Sequence, residues 1–160
     1  MKIRIIAVGR LRERHWQEAA ADYIRRIRPY ARLEIEEVAE ARLKDGASPA
    51  EEKKAMQEEG RAILERLAGH EGVVVALDRE GKSLDSLQMA GWLEKMILEG
   101  RSDVAYVIGG PLGLAPEVLE RAGCKLSFSR MTFPHQMMRV ILLEQIYRGM
   151  RIIRKEPYHR

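Results

Sequence analysis

The sequence predicts an α/β fold, a mainly parallel sheet with helices on both faces, in a single domain over residues 1–160. Three observations carry that expectation. Short apolar runs of strand length alternate with longer stretches of helical spacing. No repeat or low-complexity linker interrupts the alternation. The 160 residues, 46% of them apolar, suffice for one hydrophobic core but not for two full domains.

Taken in order, Ile3 to Val8 is an apolar run closed by Gly9 and reads as the first strand. Trp16, Ala19, Ala20, Tyr23, Ile24 and Ile27 then recur at helical spacing until Pro29 ends the pattern. Leu33 to Val38 alternates in strand fashion. After a loop containing Gly46 and Pro49, Ser48 is placed to cap a charged helix running to about Leu67. Val73 to Leu77 is a β-branched run suited to a buried strand, and Ser83 to Leu98 returns to helical spacing. Val104 to Ile108 is a second buried-type strand, followed by a glycine-rich turn and a short helix after Pro116. Leu126 to Ser129 reads as a last brief strand. From Pro134, suited to a first helical turn, a helix runs to about Lys155.

Composition narrows the classes of function. No apolar run approaches the roughly 20 residues that cross a bilayer, and Met1 is not followed by a secretory pattern, so a cytoplasmic protein starting at Met1 is expected. One cysteine, Cys124, excludes an internal disulfide and a cysteine zinc cluster; no metal is expected, and a small buried apolar role fits this residue. The 28 Lys and Arg outnumber 24 Asp and Glu, giving a net charge of +4. Arginines cluster at Arg10, Arg12 and Arg14, at Arg25, Arg26 and Arg28, and at Arg148, Arg151 and Arg154. Planar guanidinium groups suit phosphates and stacked bases, and solvated helix faces account for them equally well.

In a parallel α/β sheet, ligands sit beyond the carboxyl ends of the strands, here just after Leu77, Ile108 and Ser129. The run V-I-G-G-P-L-G, Val107 to Gly113, ends a strand in a turn that lets backbone approach a nucleotide or nucleoside, or simply reverses the chain. It is neither a dinucleotide fingerprint nor a P-loop. The stretch Leu126 to Arg139 can wall a pocket through Ser129, Arg130, Met131, Thr132 and Phe133. His135, near a helix start, reads as a cap or a packed ring. Along the last helix Glu144, Arg148, Arg151 and Lys155 share one face, with Glu144 and Arg148 spaced as an i,i+4 ion pair. Apolar residues on its other faces exceed what one sheet contact needs, which points to a subunit interface. The chain closes on Tyr158, His159 and Arg160: a stacking ring, an imidazole and an anion ligand, or a frayed end.

These segments together, I-I-A-V-G-R, V-I-G-G-P-L-G, L-S-F-S-R-M-T-F-P-H-Q-M-M-R-V, L-L-E-Q-I-Y-R and P-Y-H-R, resemble the ribosomal RNA large subunit methyltransferase H family of knotted SPOUT methyltransferases. The likeness extends from Met1 to Arg160, and between about Glu40 and Leu67 it is one of character rather than detail. It implies a C-terminal trefoil knot, a homodimer, and S-adenosylmethionine-dependent methylation of N3 of a pseudouridine in helix 69 of 23S ribosomal RNA, within the assembled ribosome. Carried onto this chain, the cofactor would lie at Leu77, Gly109, Gly110 and Phe128 to Phe133. The catalytic set would be Glu144, Tyr158, His159 and Arg160, with Arg139, Arg148 and Arg151 toward the RNA. The competing readings are a ribosome-binding factor without catalysis and a knotted methyltransferase acting on transfer RNA.

Overall fold

The computed structural model describes residues 1–159, so Arg160, expected in the catalytic set, lies outside the described residues. Ten elements follow one another: β1 (Lys2–Val8), α1 (Arg14–Ile27), β2 (Arg32–Val38), α2 (Pro49–Arg66), β3 (Val73–Ser83), α3 (Ser86–Leu98), β4 (Asp103–Ile108), α4 (Pro116–Arg121), β5 (Cys124–Ser127) and α5 (His135–Ile153). The five strands form one sheet in the order β2-β1-β4-β3-β5. Every pairing is parallel.

Strand side chains alternate between two cores, as a sheet covered on both faces requires. Ile3, Ile5, Val75, Val104 and Tyr106 point to the side covered by α1, α3 and α5. Ile6, Val8, Val74, Ala105 and Val107 point to the side covered by α2 and α4. Among the described residues, no helix is long and apolar enough to cross a membrane.

Capping fixes two helix starts. The Ser48 side chain accepts from the Glu51 amide while Glu51 reaches back to Ser48, a reciprocal capping box at the start of α2. Asp85 and Gln88 form the same device at α3, so that helix opens at Ser86 rather than Ser83. Of the displaced residues Ser83 belongs to β3, which is longer than expected. Leu77 and Lys82 both register with Leu126, so residues 78–81 bulge out before the strand resumes. At the other border β5 begins at Cys124, which pairs with Val75, and ends at Ser127. Ser129 is in a turn, its Oγ accepting from the Met131 amide. The Cys124 thiol is half-buried rather than sealed in the core, and burial pushes it up from its ordinary value. Pro134 precedes α5 as its N-cap, with ψ of 135°, instead of entering the first turn.

The surroundings of α5 bear on two expectations. Part of its apolar surface is used within the chain, because Leu142, Leu143, Ile146, Tyr147 and Met150 are buried where α5 packs beside α1 and α3, while Met137, Val140, Ile141, Ile152 and Ile153 stay half-buried. Arg139, expected to face RNA, is buried at 2% exposure. Its guanidinium donates to Glu37 Oε1 at 2.6 Å and to the Gly9 carbonyl at 2.8 Å. Thus one cation joins α5 to the carboxyl ends of β1 and β2, and its hydrogen-bonding groups face protein. Arg139→Ala should strip this support and lower unfolding stability by roughly 3 kcal/mol, at the low end for breaking a buried pair because Glu37 retains solvent. Urea denaturation of the variant checks this; an unchanged midpoint would contradict the clamp.

Candidate active site

A cavity of about 370 Å³ opens at the carboxyl ends of β3, β4 and β5, a size ordinary for a small-molecule site. Its walls come from four places: Leu77 to Arg79 after β3, Ile108 to Leu114 after β4, Leu126 to Phe133 around the end of β5, and His135 with Met138 at the start of α5. Of the residues expected at the cofactor, Leu77, Gly109, Gly110, Phe128, Ser129, Met131, Thr132 and Phe133 line it, whereas Arg130 is exposed and does not.

Local sequence explains the cavity's shape. In the turn after β4 the Gly113 amide donates to the Gly110 carbonyl at 3.0 Å, and a Cβ on Gly109 would stand 2.8 Å from the Gly113 backbone. Only a residue without a side chain lets the loop fold back so tightly. After β5, Ser127 Oγ donates to the Ser129 carbonyl and Ser129 Oγ receives the Met131 amide, turning the chain so that Met131 to Phe133 return over the cavity. Apolar side chains and backbone edges make up most of the wall, the surroundings that suit a flat heterocycle carrying polar edges. The donor set therefore fits a nucleoside-bearing cofactor. Among the described residues no His, Cys, Asp and Glu group is placed to hold a metal ion.

Behind the turn lies Glu59 of α2, 4% exposed. Its Oε1 receives the Ala41 amide at 2.9 Å, while its buried Oε2 has no partner. A Cβ on Gly110 would stand 3.2 Å from that Oε2, so the carboxyl directly backs the turn. Burial pushes the Glu59 carboxyl up, Glu40 adds to the shift, and the Ala41 amide opposes it.

A second cluster forms where the tail meets α5. Arg148 donates twice to Glu144 Oε1, at 3.0 and 2.6 Å, and Tyr158 Oη donates to the same oxygen at 3.2 Å. Gln145 occupies Oε2 at 2.7 Å. The Arg148 guanidinium also lies 4.7 Å from the Tyr158 ring centroid, and its Nη1 is 3.3 Å from His159 Nδ1. Since the guanidinium only donates, Nδ1 accepts there and the imidazole proton sits on Nε2. Tyr158 packs edge-on against Tyr147 with centroids 4.8 Å apart. Its phenol is pushed up by burial, with Tyr23 and Glu144 acting in the same direction, and stays protonated at neutral pH. Arg151 holds Glu156 at 3.0 Å and the Pro157 carbonyl at 3.2 Å. The tail is anchored through His159. None of Glu144, Tyr158 and His159 lines the cavity of its own chain.

Sequence reasoning missed Asp78 and Arg79, because it ended the third strand at Leu77, and did not place His135 and Met138 on the cavity. It also left Glu59 unmarked as one more charge on a charged helix. A glycine-rich turn that must be backed by a neighbouring helix was the available signal.

The family described as "Predicted SPOUT methyltransferase" matches residues 1–159. The ribosomal RNA large subunit methyltransferase H of Carboxydothermus hydrogenoformans is 49% identical over 160 residues, covering all of both chains. That of Symbiobacterium thermophilum is 49% identical over 162 residues, again covering 100% of each. Among solved structures, a probable methylase family protein from Haemophilus influenzae shares the fold, with a TM-score of 0.56 at 12% identity, covering 99% of this chain and 70% of that one. A parallel sheet ending in this cleft is thus the fold of a SPOUT methyltransferase. Within that class the chain belongs to the ribosomal RNA large subunit methyltransferase H family.

Glu59 supplies a pH-dependent test of the turn's support. Its native pKa lies above the unfolded value, so stability falls as pH rises from below the unfolded pKa through the native one, then stays constant. Glu59→Gln keeps the oxygen facing Ala41 and removes the charge. It should raise Tm at pH 7 by roughly 2–4 °C, equivalent to about 1 kcal/mol, with the gain fading below about pH 4. Thermal melts across pH would refute this if the difference were independent of pH.

Proposed function

We propose that this chain transfers the methyl group of S-adenosylmethionine to N3 of a pseudouridine in helix 69 of 23S ribosomal RNA, in the cytoplasm, on the assembled ribosome. The observation that carries the reading is the cavity at the three strand ends, in a chain matched over its whole length by relatives named ribosomal RNA large subunit methyltransferase H. The segments after Ile108 and Leu126 that wall this cavity are the ones a knotted C-terminal passage would bring together.

S-adenosylmethionine, when bound, supplies an electrophilic methyl carbon on a sulfonium. The residues of the chain do the rest: the backbone of Gly109 to Leu112 and the loop from Phe128 to Phe133 hold the cofactor's nucleoside and aim the methyl group. N3 of the acceptor carries a proton that must leave as the new bond forms. We assign stabilisation of the ring that loses it to Glu144, Tyr158, His159 and Arg160. Glu144, with its oxygens taken by Arg148, Tyr158 and Gln145, is the positioning residue. His159 is exposed and, with its proton on Nε2, can donate to the ring as N3 gives its proton to solvent, while Arg148 and Arg151 offer positive charge to the ring or to phosphate.

The tail cluster does not reach the cavity of its own chain, and this favours a homodimer in which each tail serves its partner's cavity. Incubation with labelled S-adenosylmethionine and ribosomes lacking the modification should place label in the large-subunit RNA. Label in transfer RNA, or none at all, would reject the reading in favour of the related enzyme or the non-catalytic factor. Gly109→Arg should eliminate calorimetric binding of S-adenosylmethionine, and retained binding would remove the turn from the site.

The shared site has its own test. Subunits lacking residues 158–160 should bind cofactor but lose roughly 10²-fold or more in single-turnover rate, the scale of a lost donor to a developing anion. Coexpressed with Gly109→Arg subunits, they should regain part of the activity, because one cavity in each mixed dimer is intact. Failure of mixed dimers to recover would place tail and cavity in the same subunit.

A further inference from the structure

The bulge in β3 places a charged pair at the mouth of the cavity. Leu77 and Lys82 both face Leu126, so residues 78–81 leave the sheet and return to it within one register position. The return is tight: a Cβ on Gly81 would stand 2.6 Å from the Lys125 backbone, so only glycine seats the loop this closely. At the other end of the loop, Asp78 Oδ1 receives the Glu80 amide at 2.9 Å. Arg79 reaches across to donate from Nη1 to Thr132 Oγ1 at 3.0 Å, joining the β3 wall to the loop after β5.

Apart from the His135 imidazole, Asp78 and Arg79 bring the only ionisable side chains to the described lining. Among the described residues Arg79 has no carboxylate partner, and Asp78 has no cation. An adjacent acid and guanidinium, each with hydrogen-bonding capacity to spare, is complementary to one chemical group above others: a free α-amino acid, with its ammonium and carboxylate on one carbon. A phosphate strand would gain from Arg79 and be repelled by Asp78.

We propose that Asp78 and Arg79 form the subsite for the amino-acid head of the cofactor, Arg79 receiving the carboxylate and Asp78 the ammonium. This rests on the methyltransferase reading of the cavity. The bulge holds the two charges at the rim, the apolar wall deeper in takes the nucleoside, and Thr132 fixes the direction of the guanidinium.

The test compares two ligands by calorimetry: S-adenosylhomocysteine, which has the amino-acid head, and 5′-methylthioadenosine, which lacks it. The intact protein should bind both. Arg79→Gln should weaken S-adenosylhomocysteine roughly tenfold, as expected for losing a charge-assisted bond at a partly exposed site, and leave methylthioadenosine unchanged. Asp78→Asn should discriminate in the same direction, and Arg79→Lys should fall between Gln and the native residue. Thr132→Val, which frees the guanidinium without removing its charge, should weaken S-adenosylhomocysteine by less than Arg79→Gln does and leave methylthioadenosine unchanged. An equal loss for both ligands in Arg79→Gln would reduce Arg79 to a brace and overturn the proposal. So would unchanged S-adenosylhomocysteine affinity accompanied by weaker ribosome binding, which would assign Arg79 to RNA phosphate. If the intact protein bound neither ligand, the cofactor reading of the cavity would itself fail.

Discussion

The buried guanidinium of Arg139 is the constraint on which the site depends. A parallel sheet leaves its carboxyl ends as free carbonyls and loops, and something must hold a covering helix against them without filling the space a ligand needs. Arg139 does so from α5 by reaching the Gly9 carbonyl after β1 and the Glu37 carboxylate near the end of β2. Because the clamp lies over β1 and β2, the ends of β3, β4 and β5 remain open, and there the cavity forms. The first turn of α5 then presents His135 and Met138 to that cavity, while the part of the helix beyond Arg139 is buried beside α1 and α3. A single ion pair thereby separates the ligand-facing turn of the helix from its structural remainder.

The same logic governs the glycine turn. Loops that carry backbone toward a ligand cannot also bury their own side chains, so their rigidity is supplied from behind. Here it comes from Glu59, whose carboxyl lies against Gly110 and receives the Ala41 amide. An apolar residue would fill the space but leave that amide without a partner, and such an unpaired donor is costly where water is excluded. Burying a carboxylate with one unsatisfied oxygen is the compromise the structure records.

Much of the fold was legible because parallel sheets write their strands as apolar runs and their helices as periodic ones. Ile3 to Val8 and Val104 to Ile108 needed only that pattern, and Ser48 announced its helix as an N-cap. What stayed hidden depended on partners far along the chain. The extension of β3 through Ser83 is polar, and only its pairing with Leu126 and Ser127 makes it strand. Arg139 and Arg148 look alike in sequence, yet one is sealed against β1 and the other grips Glu144 within its own helix. The cavity residues Gly109, Ser129 and Met131 to Phe133 were readable from glycine content or from position after a strand, whereas Arg130, read with them, lies outside the cavity. Asp78, Arg79 and Glu59 were not, because their significance lies in which loop they face.

The division of charge follows from this geometry. Apart from Asp78, Arg79 and His135, the cavity lining carries no ionisable side chain. Full charges are held at two removes instead. One set is the Asp78 and Arg79 pair on a bulge whose base is pinned by Gly81; the other is the Glu144, Arg148, Tyr158 and His159 cluster on the far part of α5. In that second set Tyr158 gives its hydroxyl to Glu144 and its ring to Arg148, so the chain is held against α5 after that helix has ended. Pre-ordering lowers the entropic cost of engaging a ligand and leaves the His159 Nε2–H as a free donor. On the proposed reading, a group that meets a base of a much larger particle is best carried this way, on a short anchored extension rather than inside the cavity.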